Sequence, residues 1–427
     1  MSRVSRVGGF SRTGRRIAVL AALALLGGCG ASPAASPGES GTGGNQSGAP
    51  TAGASASGQP SAGASGSPGA SGAPGASGVS CAAAAAGMPL DVRVGQLLVS
   101  PVQDTLDQAE ASAITDAHVG SVILMGKSSR GVAATRAITD EVQGLGVPGS
   151  PAGPVETLVT VDQEGGLVVR LSGPGFDPMP SAAEQARLSD AELTRRATRW
   201  AQQLKAAGVH LDLAPVADIV PAAKASSNEP VGKLGRGYGS DARVVADKVG
   251  VFVRAFRGAG LGSTAKHFPG LGEVTGNTDF AARVVDPVTS AGDGRDAGFR
   301  SAVAAGVDSV MVSTAVYPRI DPDNPAAFSP AVVALVRDRL GFDGVISSDD
   351  LGVAKVMEGV PAAERGVRFV RAGGDLAISV DAAVTRQMAS GLVKAAQGDP
   401  AFERRVTDST GRVLALKARY GLVRCGA

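Results

Sequence analysis

Beyond about residue 88 the chain alternates between two periodicities. Short apolar, β-branched runs occur at 96–100 (QLLVS), 120–124 (GSVIL), 157–162 (TLVTVD), 209–214 (VHLDLA), 263–267 (STAKH), 307–312 (VDSVMV), 343–347 (DGVIS) and 374–378 (GDLAI). Between them lie segments such as 191–207, 242–259, 330–340 and 361–372, where apolar positions recur at helical spacing. Strand and helix repeated eight times in about 340 residues predict a parallel sheet, either closed as a TIM-type (β/α)₈ barrel or open and doubly wound. The polar residues favour the barrel, because they collect where its strands end. Asp162, Gln163 and Glu164 end the third run, and Asp218 follows the fourth. Lys266 and His267 end the fifth, Ser313 and Thr314 the sixth, and Ser348, Asp349 and Asp350 the seventh. A barrel keeps its chemistry on those C-terminal loops.

The chain before this region has a different character. Arg3, Arg6, Arg12, Arg15 and Arg16 precede an apolar stretch, Ile17 to Leu26, too short to span a bilayer. Residues 1–29 therefore read as an export signal. Leu26-Gly27-Gly28-Cys29 resembles a lipobox, which predicts a lipid on Cys29 and a protein anchored to the outer face of a bacterial cell membrane. Residues 30–80 contain 14 of the 60 glycines, no aromatic and a single charge, Glu39. Such a segment cannot bury a core, so 30–87 is expected to be a disordered linker with an r.m.s. reach of roughly 40 Å. The expected domains are then 1–29, 30–87 and a barrel over 88–427. Cys81 and Cys425 bracket the barrel, and an exported location permits a disulfide between them.

Composition narrows the chemistry. With 41 basic against 39 acidic residues there is no net field for nucleic acid. No Cys or His cluster has metal-ligand spacing, and neither a nucleophile elbow nor a phosphate-binding loop occurs. His118 and His210 fall at or before strand starts, on the face away from the site. Carboxylates at the rim remain, and two of them working as an ionised and a protonated partner suit glycoside hydrolysis.

Three segments carry a more specific signal: DQEGGLVVRL (162–171), KHFPGLGEVTGNTD (266–279) and GVISSDDLG (344–352). With GVHLDLAPVADI (208–219) and GKLGRGYGSD (232–241), they resemble the single-domain bacterial β-N-acetylglucosaminidases of glycoside hydrolase family 3. The resemblance implies a (β/α)₈ barrel, a retaining mechanism on cell-wall fragments, no cofactor, and a monomer with a carbohydrate substrate. It implies Asp349 as nucleophile, with Asp350 the alternative, although strand alternation points the two apart. It also implies sugar contacts from Asp162, Arg236, Lys266 and His267, with Glu164 as a structural partner within its loop. One departure stands out. Where the family's loop ends in Asp-Ser-His, with histidine as acid/base, this chain has Asn277-Thr278-Asp279. The acid is then Asp279, with Glu273 competing, or turnover is lost. A β-glucosidase of the same family and a glycan-binding lipoprotein are the remaining alternatives.

Overall fold

Residues 78–426 are described by the computed structural model. The signal segment, Cys29 and most of the linker lie outside the described residues. Eight parallel strands form the barrel wall: β1 (Leu98–Val102), β2 (Ser121–Leu124), β3 (Leu158–Val161), β4 (Leu211–Asp212), β5 (Gly262–Phe268), β6 (Ser309–Val312), β7 (Val345–Ser348) and β8 (Ala377–Ile378). Each pairs with its sequence neighbour, and β1 also pairs with β8 through Leu98↔Ala377 and Val99↔Ile378. The ring closes between β7 and β8 at a bridge from Ser347 to Leu376, where the Ile346 carbonyl accepts from the Asp375 and Leu376 amides. All eight expected strands are present. β4 is shorter than its apolar run because Pro215 has no N–H to continue the ladder. The wall carries on irregularly there, with Leu213 N–H donating to the Val161 carbonyl at 2.8 Å.

The helices cover the wall with faces set by residue spacing. Helix Asp190–Ala206 begins at Ser189, whose hydroxyl accepts the Glu192 N–H, and buries Leu193, Ala197, Trp200, Ala201 and Leu204. These positions fall on one stripe of a 3.6-residue period. Helix Ala242–Gly258 is capped by Asp241 in the same way and buries Val245, Val249, Phe252 and Phe256. Among the described residues no helix is long and apolar enough to cross a membrane.

The expected linker boundary at residue 87 is too late. Cys81–Ala86 is a helix, capped by Ser80, with Ala84 and Ala85 fully buried. Its alanines read as low complexity, yet they pack with Met88, Leu414 and Val423 against the closing helix Pro400–Arg419. Cys81 is bonded to Cys425 with Cα atoms 4.9 Å apart, and Cys81 N–H donates to the Gly426 carbonyl at 2.7 Å. Both ends of the described chain thus meet at the barrel floor, where the strands begin. The disulfide closes a loop of 344 residues. Converting both cysteines to serine should lower unfolding free energy by about 3–5 kcal/mol in denaturant titration. A peptide map of non-reduced protein should show the two cysteine peptides joined.

Candidate active site

At the C-terminal ends of the strands lies a cavity of about 580 Å³. The six residues expected to contact or transform a sugar, namely Asp162, Arg236, Lys266, His267, Asp279 and Asp349, all line it.

Its floor is a network of opposite charges. Lys266, from the end of β5, is 2% exposed, and its ammonium donates to Asp162 Oδ1 at 2.6 Å and to Glu164 Oε1 at 2.7 Å. Arg236 meets the same Glu164 side-on, Nε to Oε2 at 2.8 Å and Nη2 to Oε1 at 2.7 Å, and its other Nη holds the Pro230 carbonyl at 2.6 Å. Burial alone would raise the Glu164 pKa. The charges and hydrogen bonds of Arg236 and Lys266 outweigh it and hold the carboxyl well below the usual range. Lys266 is correspondingly kept charged: desolvation opposes the ammonium, but Asp162 and Glu164 raise its pKa. The sequence suggested a structural partner within its own loop, and Glu164 is more than that. It joins the two cations that reach the cavity from separate parts of the chain.

The loop bearing Asp162 and Glu164 folds back as a hairpin, Gln163–Gly165 against Val168–Val169. Gln163 pins it by accepting the Arg170 and Leu171 N–H groups and donating to the Leu171 carbonyl at 2.8 Å. Gly165 has φ +99°, and a Cβ there would stand 2.1 Å from the Pro180 carbonyl oxygen, so this turn admits only glycine.

His267 is oriented from behind. Its ring Nδ1 lies 2.8 Å from Asp218 Oδ2, and its Nε2 lies 3.3 Å from Arg236 Nη2. An arginine only donates, so the network assigns the proton to Nδ1 and the lone pair to Nε2. Asp218 Oδ1 also accepts the backbone N–H of His267 at 3.2 Å and of Leu271 at 2.9 Å. One buried carboxylate thereby fixes both the imidazole and the start of the 270–279 loop. The peptide between Lys266 and His267 is cis, and both side chains face the cavity. Sequence reasoning noted Asp218 only as a strand-end polar residue.

The two aspartates after β7 have different surroundings. Asp350 is saturated: Oδ1 accepts from Gly352 and Val380 at 2.7 and 3.0 Å, and Oδ2 from Val353 and Ala354 at 2.8 and 2.9 Å. It folds the loop. Asp349 is held through its own N–H to the Val312 carbonyl at 2.9 Å, and its Oδ1 accepts only the Asp350 N–H. Asp349 Oδ2 has no hydrogen-bond partner among the described residues. Of the two, only Asp349 carries a carboxylate free to act on a ligand.

The candidate acids separate as clearly. Glu273 lies outside the cavity, buried and bound to Lys224 and Arg295 at 2.7 Å each, and these partners hold its pKa below the ordinary value against the effect of burial. It has no path to a sugar, so the competing assignment to Glu273 falls. Asp279 stands at the cavity rim, where its side chain still meets solvent. The protein crowded around its carboxyl, and then the charges of Asp349 and Asp350, push its pKa up to about 6, while the Arg236 charge opposes the rise. Leu271, where the family pattern has histidine, is a buried apolar part of the cavity wall.

A closed eight-stranded barrel with two carboxylates and a cationic floor at its strand ends is the architecture of a glycoside hydrolase. Residues 89–416 match the family described as the Glycosyl hydrolase family 3 N terminal domain, and the chain belongs to that family. It is 32% identical over 312 residues to the β-hexosaminidase LpqI of Mycobacterium tuberculosis, spanning 70% of this chain and 76% of that one. A β-hexosaminidase of Stenotrophomonas maltophilia is 32% identical over 279 residues, 62% of this chain and 78% of that one. The β-N-acetylhexosaminidase of Beutenbergia cavernae superposes with a TM-score of 0.76 at 42% identity, covering 78% of this chain and 99% of that one.

Removing the shared charge at the floor should be costly. Glu164→Gln leaves Arg236 and Lys266 buried beside one another without the carboxylate that both of them bind, a loss of about 3–5 kcal/mol in unfolding free energy. Because the Glu164 pKa is depressed on folding, its contribution is complete above the unfolded carboxylate value and fades as pH falls below about 4. Stability titrations of the two proteins should therefore converge in acid and diverge at neutral pH.

Proposed function

We propose that the protein is a retaining β-N-acetylglucosaminidase that removes terminal β-linked N-acetylglucosamine from cell-wall glycan fragments. The observation that carries this reading is the pairing of Asp349 with Asp279 in one cavity, in which the charge of the first helps to keep a proton on the second near pH 6. Names of the relatives support the sugar: they are β-hexosaminidases and a β-N-acetylhexosaminidase.

In the first half of the reaction the free oxygen of Asp349 attacks the anomeric carbon. The bond from that carbon to the glycosidic oxygen breaks, and Asp279 gives its proton to the departing oxygen. In the second half ionised Asp279 takes a proton from water, whose oxygen attacks the same carbon and releases Asp349 as carboxylate. A retaining pair of this kind works at about 5–5.5 Å carboxyl separation, which the complex with a bound sugar should show. Lys266, Arg236, His267 and Asp162 hold the ring substituents, and a sugar seated over the floor removes the solvent still touching Asp279. That desolvation strengthens its hold on the proton until transfer.

We further propose that the protein is exported and held at the outer face of a bacterial membrane by lipid on Cys29, with residues 30–77 as a spacer, and that it acts as a monomer. The sequence of the first 29 residues supports the anchor. Cys29→Ala should move the protein from the membrane fraction to the soluble exported fraction.

Activity should require Asp349 ionised and Asp279 protonated. Since the Asp279 pKa is raised, kcat/KM should fall as pH rises through about 6, leaving roughly a tenth of the enzyme in the active form at pH 7. Asp349→Asn should abolish turnover, and a 2-fluoro glycosyl substrate should label the 344–352 peptide. Asp279→Ala should lose far more activity on methyl β-N-acetylglucosaminide than on the 4-nitrophenyl glycoside, whose leaving group needs little protonation. Binding of N-acetylglucosamine with no hydrolysis of either substrate would instead make the protein a glycan-binding module.

A further inference from the structure

Four large apolar side chains remain exposed among the described residues; two of them line this cavity, and a third is next in the chain to a lining residue. Phe280 is 81% exposed and Val353 58%, and both line the cavity. Leu167, 62% exposed, sits at the hairpin tip beside Val168, which also lines it. Nothing in the fold needs an exposed phenylalanine here, and single exposed apolar residues scattered at random would not converge on one opening.

The chain position of Phe280 sets what it meets. It follows Asp279 directly, and Asp279 delivers its proton to the glycosidic oxygen. Asp279 and Phe280 both line the cavity, so the group bonded to that oxygen departs along the part of the wall to which Phe280 belongs. Val353 is carried on the facing loop, and the two loops are joined: the Thr278 carbonyl accepts the Val356 N–H and the Asp279 carbonyl the Lys355 N–H, each at 3.3 Å. Asp350 fixes the same loop through the Val353 and Ala354 amides. The cavity volume of about 580 Å³ lies within the range that encloses a drug-sized ligand, so it has room for more than one sugar ring.

We propose that Phe280, with Val353 beside it, is the platform for the departing sugar, stacking on the C–H face of a pyranose and selecting glycans over simple glycosides. This rests on the glycosidase reading above and adds the specificity determinant to it. An aromatic ring is suited to the role, because its face meets polarised C–H groups while its edges stay hydrated. Phe280 touches the leaving group only, so it governs the choice of aglycone and not of the sugar being cleaved.

The test compares N,N′-diacetylchitobiose with methyl β-N-acetylglucosaminide. Both release a poorly acidic alcohol and depend on the Asp279 proton alike, but only the disaccharide has a ring to stack. Phe280→Ala should lower kcat/KM for the disaccharide about tenfold more than for the methyl glycoside, chiefly through KM. Phe280→Trp should restore it, and the alkaline limb of the pH profile should stay in place. Equal losses on both substrates, a displaced limb, or no recovery with tryptophan would overturn the platform. If the wild-type protein cleaves neither compound, the glycosidase reading fails by itself. Calorimetric binding of the same two compounds then decides the platform: Phe280→Ala should weaken the disaccharide selectively, and parallel changes would refute it.

Discussion

The Glu164 carboxylate is the point on which the cavity depends. It comes from the loop after β3, Arg236 from the long segment between β4 and β5, and Lys266 from the end of β5. None of these could stay buried alone, because an isolated charge in the barrel mouth would be neutralised or expelled. Together they form a salt-bridged cluster with Asp162, and its geometry is fixed by side-on pairing and not by loop stiffness. His267 and Asp218 are then keyed to it through Arg236. These cavity-lining groups are in this way positioned before any ligand arrives, which is the condition for using such groups in a transition state.

Above this floor Asp349 and Asp279 are set apart by their environments. Asp349 has a free oxygen, and its charge falls on Asp279, which sits at the rim of the same cavity. A histidine would reach a working pKa unaided, whereas an aspartic acid needs crowding and a neighbouring negative charge. In the proposed reaction the replacement thus ties the acid, through part of its pKa shift, to the ionisation of Asp349, coupling two roles that an imidazole would keep more separate.

Much of this was readable from residues alone. The strands were legible because β-branched runs and helical stripes differ in period, and the active face because polar residues cluster at strand ends. Asp162, Lys266 and Asp349 could be placed on that face from local position, and Asp279 only through the family resemblance of its loop. Partnerships across the chain could not. Glu164 meets Arg236 72 residues away, and no local pattern signals that distance. Glu273 and Asp279 share a loop, yet only the folded chain shows one turned toward Lys224 and Arg295 and the other toward Asp349. Asp349 and Asp350 differ in how many backbone amides converge on them, which depends on Val380 in the following loop. The alanine run at 82–86 looked featureless because its helix exists only where Leu414 and Val423 supply a surface.

The disulfide and the paired termini at the barrel floor have a consequence for geometry of access. The chain joins the barrel beside Cys81, at the end where strands begin, while the cavity opens at the end where they finish. The described chain therefore begins and ends on the side away from the cavity mouth, and neither of its terminal segments crosses the opening that Asp349 faces.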